Sequence, residues 1–266
     1  MTSLSFDGLT AYYDQTRTFD PSCFGQAVDW LAGRFPPFTF PAILEPGVGT
    51  GRIALPLVER GYQVTGVDIS EEMLKVCTAQ SRALGMNSTF RCLRADAVCL
   101  PLRAMSFDLC VAVHLFYFIS DWRGAVREML RTLKPSGTLI LLHTGFGTEV
   151  PYLNERYRKT ASELEYTFPT YGVRSTSEVV DYTVSLGCAA ERVDEPEWEW
   201  TTKISLSEAL EHLRNRAYSF TKGVPDAVHL AVMDSLQREN LNEAASRGTE
   251  VEVPNRISMI LIRPLT

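Results

Sequence analysis

Short apolar runs and stretches of helical periodicity take turns along this chain. Phe24, Val28, Leu31 and Phe35 recur at three- and four-residue spacing and predict a helix over Pro21 to Phe35, ended by Pro36, Pro37 and Pro41. Ile43-Leu44 then reads as a first strand, Ile53 to Val58 as the helix after it, and Gly61 as that helix's stop. Gln63 to Val67 is a second strand, and Ser70 followed by Glu71, Glu72 and Met73 is a helix start. Ser88 to Arg94 is a third strand. Phe107 to Val113, almost continuously apolar, is a fourth, of the kind buried on both faces. Asp121-Trp122 opens a helix through Ala125, Val126, Met129, Leu130 and Leu133, and Thr138 to Leu142 is a fifth strand. Strand alternating with helix predicts a doubly wound α/β sheet, mostly parallel.

The second half is less regular. Gly145 to Tyr171 is rich in aromatic and charged residues and reads as a helix plus loop added to the sheet. Ser175 to Leu186, with Gly187 as stop, is the helix before a sixth strand. Glu191 to Lys203 reads as one extended stretch carrying Trp198 and Trp200 at period two. Helices follow from Ser205 through Phe220 and over Asp226 to Ala245, and Ile257 to Ile262 is a last strand, expected as an antiparallel edge. The expected organisation is a single domain over 1–266. Residues 1–40 form an N-terminal cover, 41–144 a cofactor-binding core, and 145–174 with 204–250 helical cap insertions.

Composition narrows the class. Hydrophobic residues make up 45% of the chain and charged residues 22%, the balance of a globular protein. A net charge of -6 gives no basic footprint for nucleic acid, so no nucleic-acid partner is expected. The six cysteines are scattered without a Cys-x-x-Cys pair, several within apolar runs, and read as buried thiols of a reducing compartment, with no metal site expected. Met1 to Asp20 shows no secretory pattern and no run is long enough to span a bilayer, which points to the cytoplasm and away from a membrane.

The candidate chemistry centres on Glu45-Pro46-Gly47-Val48-Gly49-Thr50-Gly51-Arg52, where a strand passes through a glycine-dense turn into a helix. Gly47, Gly49 and Gly51 allow positive φ and close approach of a ligand, next to the unpaired amides of a helix start. The dinucleotide fingerprint Gly-x-Gly-x-x-Gly is not met, because Arg52 stands where its third glycine belongs; a nicotinamide-dependent oxidoreductase remains a weaker alternative. Three successive predicted strands end in acids, Glu45, Asp68 and Asp96, along the carboxyl edge where open α/β sheets hold ligands. Asp68 stands where a ribose is held, and since Ser70 already supplies the helix cap, Asp68 is expected to be free for a ligand, with Ile69 and Met73 expected to flank an adenine.

An acid two residues before Gly-x-Gly-x-Gly resembles the first motif of the class I S-adenosylmethionine-dependent methyltransferases. Leu133-Lys134-Pro135-Ser136-Gly137 resembles that family's Leu-x-Pro-Gly-Gly turn, and Leu213-Arg214-Asn215-Arg216-Ala217-Tyr218-Ser219 resembles the type 11 methyltransferase domain related to ubiquinone and menaquinone biosynthesis. The resemblance implies a Rossmann-like seven-stranded sheet with an antiparallel last strand and a helical cap. It implies S-adenosylmethionine as cofactor, with Glu45, Gly47, Gly49 and Gly51 at its methionine end, Asp68 at its ribose, and Asp96 with Ala97 reading the adenine edge. Tyr13-Asp14-Gln15-Thr16-Arg17 matches the family's N-terminal Tyr-Asp-x-x-Arg, placing Tyr13 and Arg17 over the cofactor mouth, Arg17 as a fork for a carboxylate. Pro46, Val48 and Ser136 depart from the usual pattern.

The acceptor side is expected at the ends of the fourth and fifth strands. By the resemblance, His114, which also borders the cofactor, and Tyr117 face the transferred methyl group, and His143 ends the neighbouring strand. One of the two histidines is a candidate base for a hydroxyl or amine. No Asn-Pro-Pro-Tyr tetrad follows the fourth strand, and no cysteine cluster suits arsenite, so the expected partner is a small-molecule acceptor. A catalytically silent cofactor-binding or scaffold protein is the other alternative.

Overall fold

In the computed structural model, which describes Asp14 and residues 16–145, 147–247 and 250–265, the alternating pattern becomes a layered α/β fold. The strands in chain order are β1 (Ala42–Pro46), β2 (Gln63–Asp68), β3 (Phe90–Arg94), β4 (Phe107–Val113), β5 (Leu133–His143), β6 (Cys188–Val193), β7 (Glu199–Ser205), β8 (Glu250–Arg256) and β9 (Ser258–Pro264). The helices are α1 (Pro21–Arg34), α2 (Ala54–Glu59), α3 (Glu71–Ala83), α4 (Trp122–Thr132), α5 (Pro151–Glu163), α6 (Thr176–Ser185), α7 (Leu206–Arg214) and α8 (Asp226–Arg247). Their starts follow side-chain chemistry: Asp20, Ser70, Asp121 and Ser205 each accept a backbone N–H of the first turn they precede.

The main sheet has seven strands in the order β3-β2-β1-β4-β5-β9-β6. Strands β1 to β5 pair in parallel, and β9 runs antiparallel to both β5 and β6. The order reverses direction at β1, which lies between β2 and β4, and this is where such sheets open a crevice. Alternation along β4 explains the layers. Leu109 and Val111 face one apolar cluster with α1, α2 and α3, while Cys110 and Ala112 face another with α4 and α6. Burial of each large aliphatic side chain there contributes about 1.5–3 kcal/mol.

Two expectations are corrected. The last strand is antiparallel but is not an edge: β9 is paired on both sides, its Met259, Leu261 and Ile262 are buried, and β6 takes the edge with Ala189 to Arg192 exposed. The expected single extended stretch from Glu191 to Lys203 is two strands in different sheets. It breaks at a 3₁₀ turn, Pro196–Trp198, where Trp198 is buried edge-on against Trp30 of α1 with ring centroids 5.6 Å apart. Anchoring that indole turns the chain, and β7 leaves to form a separate ribbon with β8.

The ribbon, α5, α7 and α8 have their own core, built from Leu153, Tyr157, Ile204, Leu213, Val232 and Val253 among others. Asn255 is one of the ties between this layer and the sheet. Asn255 Oδ1 accepts from the Gly147 N–H at 2.7 Å, and its Nδ2 donates to the Gly147 carbonyl at 3.1 Å. The loop after β5 is thus held to the cap by a paired amide. No helix among the described residues is long and apolar enough to cross a membrane.

Candidate functional site

The glycine loop leaves β1 and folds back on β2. The Gly47 and Val48 N–H groups both donate to the Val67 carbonyl, at 2.6 and 3.0 Å, and Gly47 and Gly49 hold φ of +73° and +55°, a region that suits glycine. Val48, bulkier than the usual residue of this loop, is accommodated by Gly66 on β2: a Cβ on Gly66 would lie 2.8 Å from a Val48 methyl. The departure in one strand is matched by a missing side chain in its neighbour.

Asp68 is less free than the sequence suggested. Its Oδ2 accepts from the Gly49 N–H and its Oδ1 from the Ser70 N–H, both at 2.9 Å, while Ser70 caps α3 as expected through the Met73 N–H at 3.2 Å. Asp68 therefore braces the loop and also lines the cavity. Glu45 lies beneath the loop, 2% exposed and off the cavity wall, with Oε2 unpartnered among the described residues. Burial holds its carboxyl well above the usual carboxylate range. Gly51 is also off the wall, packed against Cys77 and Leu55.

One cavity of about 1260 Å³ runs from this loop across the carboxyl edge of the sheet. Gly47, Gly49, Ile69, Met73, Asp96, Ala97 and Arg17 line it on the loop side. Asp96 Oδ1 accepts from the Val98 N–H at 3.1 Å, which shapes the turn after β3. The glycine loop ties down the N-terminal cover through two of its residues. The Thr50 hydroxyl donates to Asp14 at 2.7 Å, and Arg52 donates to the Arg17 carbonyl while its guanidinium sits 4.1 Å from the Phe19 ring centroid. Tyr13 lies outside the described residues.

His114 and His143 line the same cavity, with ring centroids 5.2 Å apart in an edge-to-face arrangement. They differ in chemistry. His114 Nε2 lies 3.1 Å from each of the Thr144 backbone N–H, carbonyl and hydroxyl, so Thr144 fixes the ring in place. Burial, with His143, Arg52 and Arg17 nearby, pushes the His114 pKa down to about 3. His114 also adopts φ +49°, turning the chain from β4 into the 3₁₀ turn Leu115–Phe118. His143 Nε2 lies 2.9 Å from the Thr176 hydroxyl, which lies 3.0 Å from the Tyr117 hydroxyl. Burial, then Arg192, lowers the His143 pKa, so the ring is neutral at pH 7.

Thr176 enters this chain of polar atoms because Gly172 and Val173 donate to the carbonyls of Tyr117 and Phe116, laying the start of α6 against the 3₁₀ turn. Its sequence signal is masked by the neighbouring serines, which read only as helix caps. The roof of the cavity is formed by Glu149, Asn154 and Arg158 at α5 and by Tyr218 and Phe220 after α7. Tyr218 donates to the Thr148 carbonyl at 3.2 Å, fixing the roof to the loop after β5. Tyr218 falls in the stretch whose pattern was noted in the sequence; Glu149, Asn154 and Arg158 carry no local signal, since the turn of α5 alone brings them inward.

Comparison with known proteins agrees with this geometry. Residues 44–141 match the family described as Methyltransferase domain. A demethylmenaquinone methyltransferase of Thermus thermophilus is 36% identical over 102 residues, 38% of this chain and 46% of that protein. The chain thus aligns with about half the length of this relative. An uncharacterized methyltransferase of Mycobacterium tuberculosis is 27% identical over 236 residues, 89% of this chain and 85% of that protein. Among solved structures, the YcgJ protein of Bacillus subtilis superposes with a TM-score of 0.60 at 20% identity, over 91% of this chain and 99% of that one. The Rossmann-like fold is shared along nearly the whole chain.

Proposed function

We propose that this chain, whose residues 44–141 form a methyltransferase domain, moves the methyl group of S-adenosylmethionine to a small-molecule acceptor. The observation that carries the reading is continuity: one cavity joins the glycine loop and the strand-end acids to the His114, Tyr117 and His143 cluster under the cap. The residues fit the cofactor. Asp68 offers carboxylate lone pairs to ribose hydroxyls, Asp96 accepts from an exocyclic amine, and the Ala97 amide, which has no partner among the described residues, is available to a ring nitrogen. Gly47 and Gly49 present bare backbone to the methionine end, and Arg17 suits its carboxylate.

When bound, S-adenosylmethionine supplies an electrophilic methyl carbon on a sulfonium. The chain's own work is to hold the acceptor atom in line with that carbon and to exclude water, which the cap and the N-terminal cover perform. The base role goes to His143. His143, neutral at pH 7, is linked through Thr176 to Tyr117 at the cavity wall, while His114 Nε2 is held among the backbone and hydroxyl atoms of Thr144.

Calorimetry with S-adenosylmethionine, S-adenosylhomocysteine and NAD tests the cofactor. The expected result is binding of the first two and none of NAD, whose loop would need glycine where Arg52 holds the Arg17 carbonyl. Binding of NAD alone overturns the reading. Screening small hydroxyl and amine compounds for release of S-adenosylhomocysteine then separates an enzyme from a silent binder; binding without turnover across the screen favours the latter.

A further inference from the structure

The cavity roof holds a cation that methyl transfer as described does not use. Arg158 lines the cavity, and its guanidinium carbon lies 4.5 Å from the Phe220 ring centroid and 4.8 Å from that of Phe168. The two ring centroids are 6.5 Å apart, so the rings form a corner that braces the guanidinium on two sides. Rings attract the charge but take none of its in-plane N–H bonds. Among the described residues the Arg158 side chain makes no hydrogen bond or ion pair, unlike Arg192, which pairs with Asp194, and Arg216, which pairs with Asp226. Glu149, whose field reaches Arg158, is half-buried at the same cavity wall, and loss of hydration pushes its carboxyl pKa up. An aromatic-braced guanidinium facing a cavity with its donors unpaired is the arrangement that reads two oxygens of one group.

The geometry points to Arg158 as the subsite for an oxyanion, carboxylate or phosphate, carried by the acceptor. This rests on the methyltransferase reading for the word acceptor, but the anion site itself does not. The substrate class that follows is a small anionic molecule with a hydroxyl or amine to present to the His143 end of the cavity.

The test is calorimetry on the full chain saturated with S-adenosylhomocysteine, titrated with benzoate and with phenyl phosphate, and with phenol and benzylamine as neutral and cationic controls. One or both anions bind and the controls do not; which anion binds more tightly identifies the source of the oxygens. Arg158→Gln weakens the anion by about tenfold or more, Arg158→Lys weakens it less, and S-adenosylhomocysteine affinity is unchanged in both. The lysine variant keeps the test valid should the glutamine variant misfold. Failure of both anions to bind the wild type, or equal anion affinity in wild type and variants, overturns the subsite. Arg158-dependent anion binding without any S-adenosylhomocysteine binding keeps the anion site and overturns the methyltransferase reading instead.

Discussion

Replacing Asp68 by alanine removes an acceptor that serves two backbone donors, and the consequences divide into two readouts. The Gly49 N–H faces the cavity, where water can replace the carboxylate, but Ser70 is fully buried and its N–H loses a charged partner at 2.9 Å. A hydrogen bond to a charged group is worth about 1.5–3 kcal/mol, so with the Gly49 bond partly recovered the expected loss is about 2–4 kcal/mol. In a chain of this size that lowers the melting temperature by about 5–10 °C. The cofactor affinity suffers further, because the loop loses its brace and the ribose its acceptor: a fall of about tenfold to a hundredfold in S-adenosylhomocysteine binding is expected. Asp68→Asn separates the parts. Its single carbonyl oxygen can keep one amide, while its NH₂ meets the other donor to donor, so it should be no better than midway between wild type and alanine. Calorimetry and thermal melts on the three proteins check this. Full affinity in a stable Asp68→Ala protein refutes the ribose assignment, and lost affinity with an unchanged melt refutes the bracing role.

Three further outcomes are expected. Gly66→Ala should destabilise by about 1–3 kcal/mol through overlap with Val48, and Val48→Ala in the same chain should recover most of it; additive losses in a denaturant double-mutant cycle would remove the proposed compensation. His229 accepts from Tyr157 O–H at 2.6 Å on Nδ1 and donates to the Arg214 carbonyl at 3.1 Å from Nε2, so it is held neutral, and burial lowers its pKa. The unfolded chain therefore binds a proton below about 6.5 that the folded chain resists. Wild type should lose more stability than His229→Gln between about pH 7 and pH 5, and parallel denaturation curves would contradict this. Thr176→Val, which breaks the link between Tyr117 and His143, should lower kcat by about tenfold to a hundredfold with S-adenosylhomocysteine affinity intact; an unchanged kcat would put the base elsewhere.

What the sequence revealed follows from locality. Acids at the ends of β1, β2 and β3, the bounds of β4 and the caps of α3 and α4 are each set by neighbours a few residues away, and all are visible as patterns. Asp68 as a brace was not visible, because the donor it serves at Gly49 is brought in by strand pairing. The division of Glu191 to Lys203 depended on Trp30, and the inner place of β9 on two partners distant in sequence, so neither leaves a local trace. The cavity roof is the extreme case: Arg158 acquires meaning only when Phe168 and Phe220 fold around it.

Arg52 shows how a departure from a motif can be informative once its partners are known. A side chain at that place costs the close packing a third glycine would allow. Here the guanidinium is directed to the Arg17 carbonyl and the Phe19 ring, two residues of the N-terminal cover. The Thr50 hydroxyl holds Asp14 of the same cover, so two positions of the glycine loop, either side of Gly51, draw that segment over the mouth of the cavity. Arg17 lines the cavity because its own carbonyl is pinned from below. The feature that weakens a dinucleotide site thus builds one wall of the site this chain has.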